Sequence, residues 1–97
     1  MTDAGAPANS ASRVITITNR LGLHARPSAM IVKAASAFES EIFLVKAEMR
    51  INAKSIMGVM MLAAEFGSEL AIEAEGPDAR LAVDTVAAVF ASNFGEE

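Results

Sequence analysis

The chain has 97 residues, 53% of them apolar, with no cysteine, a single histidine and a formal net charge of −4. That length holds one core and not a second. The missing cysteines exclude disulfides, thiolate chemistry and cysteine zinc sites, and a lone His24 argues against a histidine-built metal centre. Acidic charge spread along the chain argues against nucleic acid as the main partner.

Met1 to Ser12 is small and polar and offers nothing to bury, so residues 1–12 are expected to be a flexible tail ahead of a single domain over 13–97. Val14-Ile15-Thr16-Ile17-Thr18 is β-branched throughout and predicts a half-buried strand with Ile15 and Ile17 on one face. Asn19 to Leu23 reads as a loop. Pro27 suits the first turn of a helix, along which Pro27, Ser28, Ile31, Val32, Ala35 and Phe38 form an apolar stripe opposite Lys33 and Ser36. Ile42 to Lys46 and Met49 to Asn52 predict a hairpin. Its connection, Ala47-Glu48, favours no positive φ, so a wider or different turn is expected there.

Ser55 is the predicted N-cap of a brief helix through Ile56, Met57, Val59 and Met60. Gly67-Ser68 marks a turn, and Glu69 to Glu75 alternates with Leu70, Ile72 and Ala74 inward. Gly76-Pro77-Asp78 opens a last helix, with a carboxylate expected in its first turn and Ala82, Val83, Val86, Val89 and Phe90 at helical spacing. The order is β-α-β-β-α-β-α. A mostly antiparallel sheet with helices packed on one side satisfies every amphipathic element, which is an α+β sandwich.

Gly22-Leu23-His24-Ala25-Arg26-Pro27-Ser28 is the segment in which chemistry concentrates. His24 stands just before a helix, near N–H groups without partners inside it, and these donors with the helix dipole make an anion site. The dipole disfavours an imidazolium, by ~0.3–1 kcal/mol at an exposed position, and so favours a nucleophilic ring. After transfer it would hold the new phosphoryl group, with Arg26 adding a charge-assisted bond. Taken singly, each of these residues is more often punctuation or a solvated charge; the conjunction is what points to phosphoryl chemistry. No carboxylate pair, metal cluster or nucleophile–base arrangement points to an enzyme with independent turnover.

Gly22-Leu23-His24-Ala25-Arg26-Pro27 resembles the active-site motif of the HPr family, phosphocarriers of the bacterial phosphoenolpyruvate-dependent phosphotransferase system. Ala53-Lys54-Ser55-Ile56-Met57-Gly58-Val59-Met60 resembles the family's second motif at the expected distance, and the likeness runs from about Arg13 to Phe94. It implies an open-faced β-sandwich of four antiparallel strands with three helices on one face. It implies that His24 accepts a phosphoryl group at Nδ1 from enzyme I, the group deriving from phosphoenolpyruvate, and donates it to an enzyme IIA protein without a cofactor. Arg26 would steady the phosphoryl oxygens, with Ala25, Pro27 and Ser28 forming the phosphate-stabilising helix start.

In relatives with the Lys-Ser-Ile-Met-Gly pattern the matching serine is phosphorylated by HPr kinase/phosphorylase, which implies a regulatory role for Ser55 beside its cap. The family docks its partners on this helix. Ile56, Met57 and Met60 are expected as exposed anchors, joined by Met30, whereas Met61 and Leu62 are expected to be buried. Asn19-Arg20-Leu21 and the ending Asn93 to Glu97 resemble NPr, the carrier of the nitrogen-related branch. The alternative reading is therefore a regulatory interaction protein of that branch. No apolar run approaches the ~20 residues that span a bilayer, and no secretory signal opens the chain, so a cytoplasmic monomer without membrane insertion is expected.

Overall fold

The computed structural model describes residues 9–96, so Met1 to Ala8 of the expected tail, and Glu97, lie outside the described residues. The elements are β1 (Ser10–Thr16), α1 (Ala25–Ser36), β2 (Glu41–Lys46), β3 (Met49–Asn52), α2 (Ile56–Met61), β4 (Glu69–Glu75) and α3 (Ala79–Ala91). The strands lie in the order β1-β4-β2-β3, every neighbouring pair antiparallel. Strand alternation explains why only one face is covered. Ile42, Leu44, Leu70, Ile72 and Ala74 are fully buried beneath the helices, while Ser12, Val14, Glu69, Glu75 and Arg50 are exposed. The helices complete the core with Ile31, Ala35, Val59, Ala82, Val83, Val86 and Phe90.

Strand β1 starts earlier than its side chains suggest. Ser10, Ala11 and Ser12 pair with Glu75, Ala74 and Glu73, and Ala11 packs against the core. A ladder is built from backbone groups, so small polar residues can extend it without burying much. The expected tail boundary at Ser12 is thus moved to before Ser10.

Of the two alternatives expected for the β2–β3 connection, the wider turn is not the one formed. Lys46 pairs with Met49, leaving a tight two-residue turn over Ala47-Glu48 in which Ala47 has φ 56°. Ala63, just past the end of α2, has φ 50°. Each left-handed alanine costs about 1–2 kcal/mol; packing of the hairpin and of the α2 end outweighs that local preference.

Helix α2 is capped as its sequence indicates, Ser55 Oγ accepting from the Gly58 N–H at 3.0 Å. Helix α3 is not opened as expected. Asp78 is its N-cap residue but makes no side-chain cap bond; its carboxylate turns away to accept from the backbone N–H groups of Glu39 (3.0 Å) and Ser40 (2.9 Å) and from the Ser40 hydroxyl. It therefore ties the α1–β2 turn to the β4–α3 turn. After α3 the chain makes a short turn over Asn93–Gly95, with φ of 54°, 58° and 77° at Asn93, Phe94 and Gly95. Burial of Phe94 holds it: the ring is 1% exposed and meets Phe90 edge-on at 5.4 Å between centroids.

The Ser40 hydroxyl, followed by burial opposing it and by the backbone N–H bonds, holds the Asp78 carboxyl below the ordinary aspartate value of 3.8. A depressed folded-state value gives stability that is present above 3.8 and lost as pH falls through the lower folded value. Acid unfolding of wild type and Asp78→Asn, followed by circular dichroism, is expected to show the variant less stable at neutral pH and the gap narrowing below about pH 4.

Candidate functional site

The site is built on the loop between β1 and α1. Asn19, 1% exposed, donates through Nδ2 to the Gly22 carbonyl at 2.9 Å and closes the loop. Gly22 has φ 67°, and a Cβ there would lie 2.5 Å from the Ala64 carbonyl oxygen. The next residue uses that proximity: Leu23 N–H donates to the same Ala64 oxygen at 3.0 Å. The loop is thereby fastened to the chain just beyond α2. His24 follows as the N-cap residue of α1, extended at φ −81° and ψ −169°, with its side chain capping nothing.

The first helical bond runs from Ser28 N–H to the His24 carbonyl at 3.0 Å. Pro27 has no N–H to offer, which leaves the N–H groups of Ala25 and Arg26 without partners among the described residues. Ser28 does not belong to the phosphate-facing set. It is fully buried, its N–H is spent in the helix, and its hydroxyl donates to the Leu23 carbonyl at 3.3 Å. Pro27 is likewise buried, a spacer beneath the site.

Arg26 is exposed and has no ion-pair partner among the described residues. It lines an open groove with Arg20, Leu21, His24 and Glu96. Arg20 and Glu96 are functional candidates that sequence reasoning missed. The Glu96 carboxylate lies 3.0 Å from His24 Nε2 and accepts at its other oxygen from Asn19 Nδ2 at 3.2 Å. A carboxylate only accepts, so in the neutral ring the proton of that contact sits on Nε2 and Nδ1 keeps the lone pair. Among the described residues Nδ1 has no partner. Nothing local in the sequence signals this contact, since 72 residues separate the pair.

Helix α2 stands beside the loop. Ile56, Met57 and Met60 are exposed, at 46%, 72% and 43%. Met61 is exposed too, against the expectation of burial, whereas Leu62 is buried as expected. One short helix has one inward face, and Val59 with Leu62 occupies it. Met30 is half-buried and packs against the core.

The family model described as "PTS HPr component phosphorylation site" matches residues 11–92. The chain belongs to the HPr family. The phosphocarrier protein HPr of Treponema pallidum is 51% identical over 85 residues, 88% of this chain and 97% of that protein. The crystal structure of HPr-C-His from Thermoanaerobacter tengcongensis superposes with a TM-score of 0.86 at 42% identity, covering 90% of this chain and 98% of that one. A chain of the HPr dimer from that organism superposes with a TM-score of 0.72 at 44% identity, over 84% of this chain and 94% of that one. The chain is thus a phosphocarrier protein of the phosphotransferase system, with the four-stranded antiparallel sheet and three helices read from its sequence. No helix among the described residues is long and apolar enough to cross a membrane.

Gly22→Ala tests the loop anchor. The added methyl forces the loop off the Ala64 carbonyl and strains a positive φ, for a loss of about 1–3 kcal/mol. Thermal unfolding by calorimetry is expected to show it as a fall in Tm.

Proposed function

We propose that His24 takes a phosphoryl group from phosphorylated enzyme I at Nδ1 and passes it to a histidine of an enzyme IIA protein. The observation that carries this reading is the presentation of His24: half-exposed at the start of α1, with two free N–H groups beside it and Nε2 occupied by Glu96. Nδ1 is then the nucleophile. The incoming phosphoryl oxygens meet the Ala25 and Arg26 N–H groups, the positive end of the α1 dipole and the Arg26 guanidinium. A phosphohistidine is a high-energy intermediate because imidazole leaves readily, which suits a carrier. The cycle needs no cofactor and no turnover on a small substrate; the chain acts as a monomer in the cytoplasm.

Labelling with phosphoenolpyruvate and enzyme I tests it. Wild type is expected to gain acid-labile phosphate and His24→Ala none; Arg26→Ala should fold normally and exchange roughly tenfold more slowly, equivalent to about 1.4 kcal/mol. Label retained by His24→Ala would refute the assignment.

The second reading, a regulatory protein of a nitrogen-type branch docking according to phosphorylation, draws on the apolar face of Ile56, Met57, Met60 and Met61 next to Ser55. Under either reading Ser55 is the proposed regulatory site. Its hydroxyl oxygen accepts from Gly58 N–H, and among the described residues its own proton has no acceptor. A phosphate there adds about −1.5 to −2 charge beside the docking face. Incubation with HPr kinase/phosphorylase and ATP is expected to modify Ser55, read by mass spectrometry, and to weaken uptake from enzyme I. A protein left unmodified would remove Ser55 from the proposal.

A further inference from the structure

We infer that Arg20 is a second phosphoryl-binding residue, its guanidinium meeting the oxygens of the group held on His24; this rests on the carrier reading above. Arg20 is exposed and has no ion-pair partner among the described residues. Of the eight lysines and arginines, Arg13 and Arg50 pair with Asp84 and Glu73. Lys46 and Lys54 donate to the Leu62 and Phe38 carbonyls. Arg20, Arg26, Lys33 and Arg80 have no such partner among the described residues, and two of these, Arg20 and Arg26, line one groove with His24. The carboxylate lining that groove, Glu96, is already engaged by His24 Nε2 and Asn19 Nδ2. Two guanidiniums without carboxylate partners thus share a groove in a chain of net charge −4, and the local field there favours an anion.

The backbone fixes where Arg20 stands. Gly22 N–H donates to the Asn19 carbonyl at 3.2 Å and closes a turn with Arg20 and Leu21 at its corner. Buried Asn19 braces that turn through Nδ2, and His24 N–H donates to the same Gly22 carbonyl at 3.0 Å. Arg20 and His24 are therefore mounted on one braced peptide, while the Arg20 side chain stays uncommitted. As the Nδ1 lone pair forms the new N–P bond, the donor's N–P bond breaks and its electron pair returns to the donor imidazole. The phosphoryl oxygens keep their negative charge throughout, and an arginine stays protonated, so no proton moves at Arg20. Arg26 offers its forked donors from the helix start and Arg20 offers a second set from the turn. This contact belongs to the phosphorylated chain itself and not only to its encounter with enzyme I.

An equilibrium measurement separates such a contact from a docking one. The full chain is mixed with phosphorylated enzyme I, and the division of phosphate between the two proteins is read once it stops changing. Arg20→Ala is expected to lower the equilibrium constant for transfer to this chain about tenfold, with an unchanged Tm. Arg20→Lys, which keeps the charge and loses the fork, should lower it less. Added salt should shrink the difference between wild type and Arg20→Ala. A residue that only helps enzyme I to dock changes the half-saturating concentration and cannot move this constant. An Arg20→Ala protein with the wild-type constant, whatever its rate of uptake, overturns this inference alone. A wild-type protein that takes up no phosphoryl group overturns the carrier reading and this contact with it.

Discussion

The bond from Leu23 N–H to the Ala64 carbonyl is the contact on which the site's geometry hangs. It exists because position 22 has no Cβ: any other residue would thrust one into that carbonyl and would pay for the left-handed φ as well. A single backbone bond of this kind contributes only about 0.5–1.5 kcal/mol to stability. Its importance is geometric. It fastens the loop before α1 to the chain after α2, so that the histidine and the apolar face of Ile56, Met57 and Met60 are held in one relation. On the proposed carrier reading, the reactive atom and the apolar face must reach a partner together, and this contact couples them.

The start of α1 carries a division of labour between neighbouring residues. Pro27 and Ser28 are buried and serve the core, while Ala25 and Arg26 keep their N–H groups unspent. Proline at the third helical position removes a donor that would otherwise want a partner, and the serine hydroxyl is turned inward onto Leu23. The positive end of the helix is thus narrowed to two amides and one guanidinium beside a half-exposed ring. On the proposed reading, that set holds a phosphoryl group without enclosing it.

Strain and burial are traded in the C-terminal turn. Asn93 and Phe94 occupy a backbone region that costs about 1–3 kcal/mol per residue. Burying Phe94 against Phe90 returns about 1.5–3 kcal/mol, and the Thr18 and Asn19 side chains add polar contacts. Local conformation yields to a hydrophobic anchor, and the residue brought into place by that exchange is Glu96.

By itself the sequence determined the order of elements, the inward positions Leu70, Ile72 and Ala74, the Ser55 cap, and the stretch of chain in which His24 and Arg26 stand. Those features rest on periodicity and on neighbours within a few residues, where the period of a strand or a helix dictates which side chain faces where. Met61 shows the limit of that reasoning, because which methionines of a single short helix point inward depends on what the helix is packed upon. So does Asp78, whose carboxylate left its own helix for a turn 38 residues away. The Glu96–His24 contact was out of reach for the same reason. A carboxylate at the penultimate position of the sequence meets a ring near its beginning only because the sheet order β1-β4-β2-β3 and the packing of α3 return this part of the chain to the loop after β1. Local preference sets the elements; the closeness of residues far apart in the chain is a property of their packing alone.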